Sequence, residues 1–170
     1  MSKQWPYFVL FFLLPVVLAF WWWGAFATPE VAVAQRDAVR YAYLVSEGDY
    51  SKVEDKHKEV LDLLGQQGVR AGQPITLIES DPRTVPGPQR RARAGITIDR
   101  AARLAAPLLE GGLPDRRSVV VHARAHPFLA YGKAYGALLD YLDAHGLVLR
   151  LPVAETTRDS TLTVEMVLEP

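Results

Sequence analysis

No cysteine occurs among the 170 residues. That excludes a disulfide framework and a thiolate metal site, and leaves the redox compartment undecided. Net charge is also absent, because 19 basic side chains are matched by 19 acidic ones. Wrapping nucleic acid needs a basic surplus to displace counterions, so no nucleic-acid partner is expected. The short run Arg90, Arg91, Arg93 reads first as a solvated strand edge and second as an anion site. A Gly-rich phosphate loop, a G-x-S-x-G elbow and a zinc-protease motif are missing too. The histidines and acidic residues form no complete metal-binding motif, so neither a metal nor a cofactor is expected.

What the chain does have begins at its N-terminus. From Trp5 to Ala27 there are 23 residues without a charged or strongly polar side chain. A helix needs about 20 such residues to cross a bilayer. Tryptophans at both ends suit the two interfaces, and Pro15 would kink such a helix. The expectation is a single transmembrane helix within residues 1–29, with residues 5–27 in the lipid bilayer. The alternative is a cleaved signal peptide, with Lys3 as its n-region and Ala25-Phe26-Ala27 as its cleavage site. A single-pass membrane protein follows, its domain leaning to the extracytoplasmic side. Residues 30–37 read as a tether, and 38–170 as one domain, too short to be two.

Within that domain the sequence repeats weakly at an offset of 78. Tyr50 to Gly68 aligns with Phe128 to Gly146, so that His57 meets Tyr135, Val60 meets Leu138, Leu61 meets Leu139 and Leu64 meets Leu142. These positions follow the helical period, so each span reads as an amphipathic helix with one buried stripe. Ser51 with Glu54 offers a capping box, Pro127 suits a first turn, and Gly68 and Gly146 suit left-handed stops. One β-like run precedes each helix (39–46 and 118–124) and two follow it (75–80 and 91–98; 151–157 and 161–168). The order is β-α-β-β twice, with halves 38–98 and 118–168. The connector 99–117 has room for a short helix at 101–109. The fold class is therefore α+β: duplicated β-α-β-β modules forming one curved antiparallel sheet, with two main helices on one face.

Strand alternation sorts the faces. Val39, Tyr41, Tyr43 and Val45 are assigned to the helix side, together with Val119, Val121 and Ala123. The open face then carries Arg40, His122, Arg93, Thr163 and Glu165. Those five are the candidate ligand-binding residues, and no catalytic residue is assigned. Glu165 among apolar neighbours suits a cationic ligand. Its competing reading is an ion pair with Arg93. His57 reads as a half-buried packing residue.

The run Tyr43-Leu44-Val45-Ser46-Glu47-Gly48-Asp49-Tyr50 resembles the opening of GyrI-like domains. So do Ile78-Glu79-Ser80-Asp81-Pro82, Val85-Pro86 and the strand ending Gly95-Ile96-Thr97-Ile98. Thr163-Val164-Glu165-Met166-Val167 resembles the closing strand. The resemblance spans about residues 38–168, and with the apolar segment it points to a membrane-anchored branch of that family. It implies the fold of effector-binding domains of AraC-type and BmrR-type regulators, with a cleft for small, often lipophilic molecules and Glu165 as the cleft carboxylate. The resulting expectation is a membrane-tethered, non-enzymatic small-molecule-binding domain. The alternatives are a protein-interaction module with a protein partner and no ligand, or a small-molecule hydrolase using a cleft glutamate with a nearby tyrosine.

Overall fold

The computed structural model describes residues 5–169, and side chains over 9–168. The apolar stretch forms the helix α1 (Trp5–Trp22), 18 residues long with Pro15 inside it. At 1.5 Å per residue it rises about 27 Å, against about 30 Å for a hydrocarbon core. Among the described residues, no helix is long and apolar enough to cross a membrane. The expected single-pass anchor in the bilayer, with an extracytoplasmic domain, is thereby corrected. The reason lies in the last residues of the apolar run, which leave the helix. Gly24 takes φ +73°, and a Cβ there would stand 2.9 Å from the Arg124 carbonyl oxygen. Trp23 stacks on His126 at 5.0 Å between ring centroids, and its carbonyl accepts from the His126 N–H at 2.9 Å. The turn is thus fastened to the domain. Lys3 lies outside the described residues.

The remaining elements are β1 (Glu30–Arg36), β2 (Val39–Glu47), α2 (Val53–Gln66), β3 (Ala71–Ile78), β4 (Arg91–Ile98), β5 (Leu109–Leu113), β6 (Arg116–Arg124), α3 (Pro127–Ala144), β7 (Val153–Arg158) and β8 (Thr161–Glu169). All eight strands join one antiparallel sheet in the order β1-β6-β8-β7-β3-β4-β2-β5. Residues 30–36 are therefore a sheet strand and not a tether. The connector forms β5, with no helix at 101–109. β1 opens the strand order, and β2 lies next to its far end. Only Asp37 and Ala38 join them, so the sheet curls until its ends meet at that corner. Ala38 N–H donates to Asp115 Oδ1 there, at 2.6 Å.

Both helices pack on one face. Val60 and Leu64 of α2 bury against Ala42 and Ile96. Leu138 and Leu142 of α3 bury against Val119, Val164 and Met166. The helix ends follow the local chemistry, though not always as the sequence suggests. Asp49, not a Ser51–Glu54 box, caps the 3₁₀ turn before α2 by accepting from the Ser51 N–H at 2.9 Å. Gly68 and Gly146 both take positive φ at the helix stops. Leu61 is 49% exposed, because the buried stripe runs through Val53, Val60 and Leu64.

The strand faces differ from expectation in β2. Ala42 and Leu44 face α2, while Tyr41 packs with Ile75, Leu77 and Ala154 on the other side of the sheet. The middle of that side is not open. It holds its own apolar cluster because the curl folds it inward.

Candidate functional site

Helices α2 and α3 stand over opposite halves of the sheet and leave a gap above its central strands. Register decides what that gap sees. One row of cross-strand partners runs Val121, Val164, Glu155, Thr76, Ala94, Leu44. Its ends lie under α3 and α2, so Glu155 and Thr76 are left beneath the gap. A cleft of about 690 Å³ opens there, floored by β3 and β7 and walled by His57 of α2 and by Tyr131 and Tyr135 of α3. That volume suits a drug-sized molecule. Tyr50 and Pro82 reach in from the loops, and Tyr50 Oη donates to the Ser80 carbonyl at 2.5 Å.

Glu155 is 8% exposed, and among the described residues it forms no ion pair. Its side-chain partner is Tyr135, whose hydroxyl donates to Oε1 at 2.5 Å. Burial pushes the Glu155 carboxyl up to about 7, and the Tyr135 hydrogen bond restrains the rise only in part. Burial, with the carboxylate beside it, drives Tyr135 upward. Tyr131 and Tyr50 are raised by burial as well. His57 Nε2 donates to the Ile75 carbonyl at 3.2 Å and lies 3.3 Å from Thr76 Oγ1. Its burial lowers its pKa, so the ring is neutral near pH 7. The cleft therefore combines aromatic and aliphatic walls with a single deep carboxylate and no fixed cation among the residues that line it.

The five residues expected at the site lie elsewhere. Glu165 is 3% exposed, on the adjacent row that faces away from the helices. It is held by Arg116 at 2.8 Å and by Arg36 at 2.7 Å. Arg93 shares that face but pairs with Glu79 at 2.6 Å and lies 5.2 Å from the centre of the Tyr43 ring, so the expected Arg93–Glu165 pair does not form. His122 Nδ1 and Thr163 Oγ1 are 2.9 Å apart, also on that face. Arg40 binds Glu110 at 2.7 Å and the carbonyls beyond β4. None of the five lines the cleft.

Sequence reasoning missed Glu155, Tyr135 and Tyr131, and it placed His57 without giving it a site. A signal existed. Val153, Glu155 and Thr157 share one side of a predicted strand, and Val153 packs into the core under α3. The repeat pairing of His57 with Tyr135 also set two cleft walls opposite each other.

No family model and no curated protein matches the chain. The resemblance to solved structures is clear. EcmrR bound to DNA superposes with a TM-score of 0.65 at 11% identity, over 91% of this chain and 64% of that one. The chain thus spans less than two thirds of that protein. The EcmrR C-terminal domain alone gives a TM-score of 0.62 at 12% identity, over 83% and 98%. SAV2435 bound to tetraphenylphosphonium gives 0.54 at 12%, over 82% and 94%. A hydrolase from Listeria innocua gives 0.56 at 8%, over 84% and 92%. The chain thus shares the fold of the EcmrR C-terminal domain and SAV2435.

Proposed function

We propose that the chain is a non-enzymatic receptor for a small lipophilic cation. The ligand sits in the α2–α3 cleft, with Glu155 as its counter-charge. The supporting observation is the deep carboxylate in an aromatic cleft that offers it a phenol but no cation. An arriving cation replaces the missing positive charge and stacks on Tyr131 and Tyr135. The SAV2435 structure holds tetraphenylphosphonium on the same fold, which supports this ligand class. Screening the full chain by thermal shift with tetraphenylphosphonium and other aromatic cations tests it. A binder at 100-fold over its dissociation constant adds about 2.7 kcal/mol of stability. If no lipophilic cation shifts the transition at pH 8, the reading is wrong.

One observation favours a hydrolase as the second reading. Tyr135 rests on Glu155, the carboxylate–phenol pair that such an activity needs, and the Listeria hydrolase shares the fold. In that case Glu155 accepts a proton from an attacking water and Tyr135 steadies the developing charge. Turnover of small electrophilic compounds by the wild type and not by Glu155→Gln would favour it over the receptor.

A further inference from the structure

The sheet has two edges, and they differ. β5 is five residues long with Gly111 and Gly112 inside it. Short, glycine-bearing edges resist pairing with another chain. β1 is seven residues long, EVAVAQR, and it pairs with β6 alone at the start of the strand order. It contains no lysine or proline, and its register with β6 runs without a bulge. Those are the usual protections of an edge strand. None of its residues is buried; Glu30, Ala32, Val33 and Gln35 are exposed. Beside it, a groove lined by Val33, Leu147 and Val148 leaves apolar surface open on the helix side.

The strand is also charge-complementary to itself. Antiparallel pairing of two copies about Val33 sets Glu30 opposite Arg36 of the other copy at both ends, and Val33 opposite Val33 at the centre. Directly opposed residues share a face, so each Glu30 meets an Arg36 on the same side of the joined sheet. Glu30 forms no ion pair among the described residues. Arg36 already holds Glu165 at 2.7 Å, but a guanidinium has five donors and can serve both. We infer that the chain forms a two-fold dimer through β1, with Val33 on the axis, joining two eight-stranded sheets into one. An isologous interface needs a self-complementary patch, and this strand supplies one. The inference is independent of what the cleft binds.

The native chain has no cysteine, so one introduced thiol reports the register cleanly. In the full chain, Val33→Cys brings two thiols together on the axis, within the Cα separation a disulfide allows. Gln35→Cys leaves its two thiols roughly 13 Å apart along the strands. Under oxidised glutathione at micromolar protein, Val33→Cys cross-links roughly a hundredfold faster than Gln35→Cys, since pairing raises the effective thiol concentration to the millimolar range. Adding Glu30→Arg to the Val33→Cys chain sets like charges opposite each other at both ends and slows the cross-link. Equal rates at positions 33 and 35, no cross-link at either, or a rate indifferent to Glu30→Arg overturns the inference.

Discussion

Tyr135 reaches from α3 to the floor of the cleft and donates its hydroxyl proton to Glu155 on β7, at 2.5 Å. The contact joins a helix of the second half of the chain to a central strand. It leaves one carboxylate under an aromatic wall without a positive partner among the described residues. Such a group costs stability when charged, and the cost is measurable.

Glu155 has a folded-state pKa of about 7, above its ordinary value. A raised carboxyl is favourable to the fold while protonated, so its contribution is full below about pH 4.5 and is lost as pH rises through 7. The wild type should lose about 2–3 kcal/mol relative to Glu155→Gln between pH 4.5 and pH 8, read from denaturant titrations at each pH. The variant keeps an acceptor for Tyr135, so the comparison isolates the charge. A flat difference would place the Glu155 pKa in the ordinary range.

His57 runs the other way. Its pKa is lowered by burial, so its contribution is present above the unfolded value near 6.5 and is lost as pH falls below it. Replacing His57 with Gln should remove a step in stability on the acid side of 6.5, again followed by denaturant titration. If the step survives, another group is its source.

Leu138 and Leu64 are fully buried, whereas Leu61 is half exposed. Leu138→Ala and Leu64→Ala should each cost about 2–5 kcal/mol. Leu61→Ala should cost under about 1 kcal/mol. Equal losses at Leu61 and Leu64 would mean that α2 is rotated from the orientation described.

Glu165→Gln leaves the buried Arg116 short of its counter-charge, and breaking a buried pair costs about 3–5 kcal/mol. Arg93 stands three strands away along the same row, roughly 14 Å at ordinary strand spacing. Arg93→Ala and Glu165→Gln should therefore add within about 0.5 kcal/mol in a double-mutant cycle. Larger coupling would contradict the separate pairing of Arg93 with Glu79.

The two helices were legible in the sequence because Val60, Leu64, Leu138 and Leu142 keep one helical stripe through both halves. Most strands were legible as well. The phase of β2 was not, because Tyr41 and Ala42 are both buried on opposite sides of the sheet. A strand apolar on both faces carries no alternation to read. That ambiguity misplaced Arg40 alone; Arg93, His122, Thr163 and Glu165 do lie on the face away from the helices, where the unforeseen curl packs Tyr41, Ile75, Leu77 and Ala154 together. Glu165 looked like a carboxylate in a hollow because its partners, Arg36 and Arg116, lie in residues read as tether and connector. Glu155 escaped notice because β7 was never assigned a face.

In the proposed function, Glu155 is the counter-charge of a lipophilic cation seated between α2 and α3. Calorimetric titration of tetraphenylphosphonium into the full chain at pH 8 tests it most directly, with Glu155→Gln and Thr163→Ala alongside. The wild type and Thr163→Ala should bind alike, while Glu155→Gln should lose about tenfold or more, the equivalent of about 1.4 kcal/mol. Undiminished binding by Glu155→Gln, or loss of binding by Thr163→Ala alone, would contradict it.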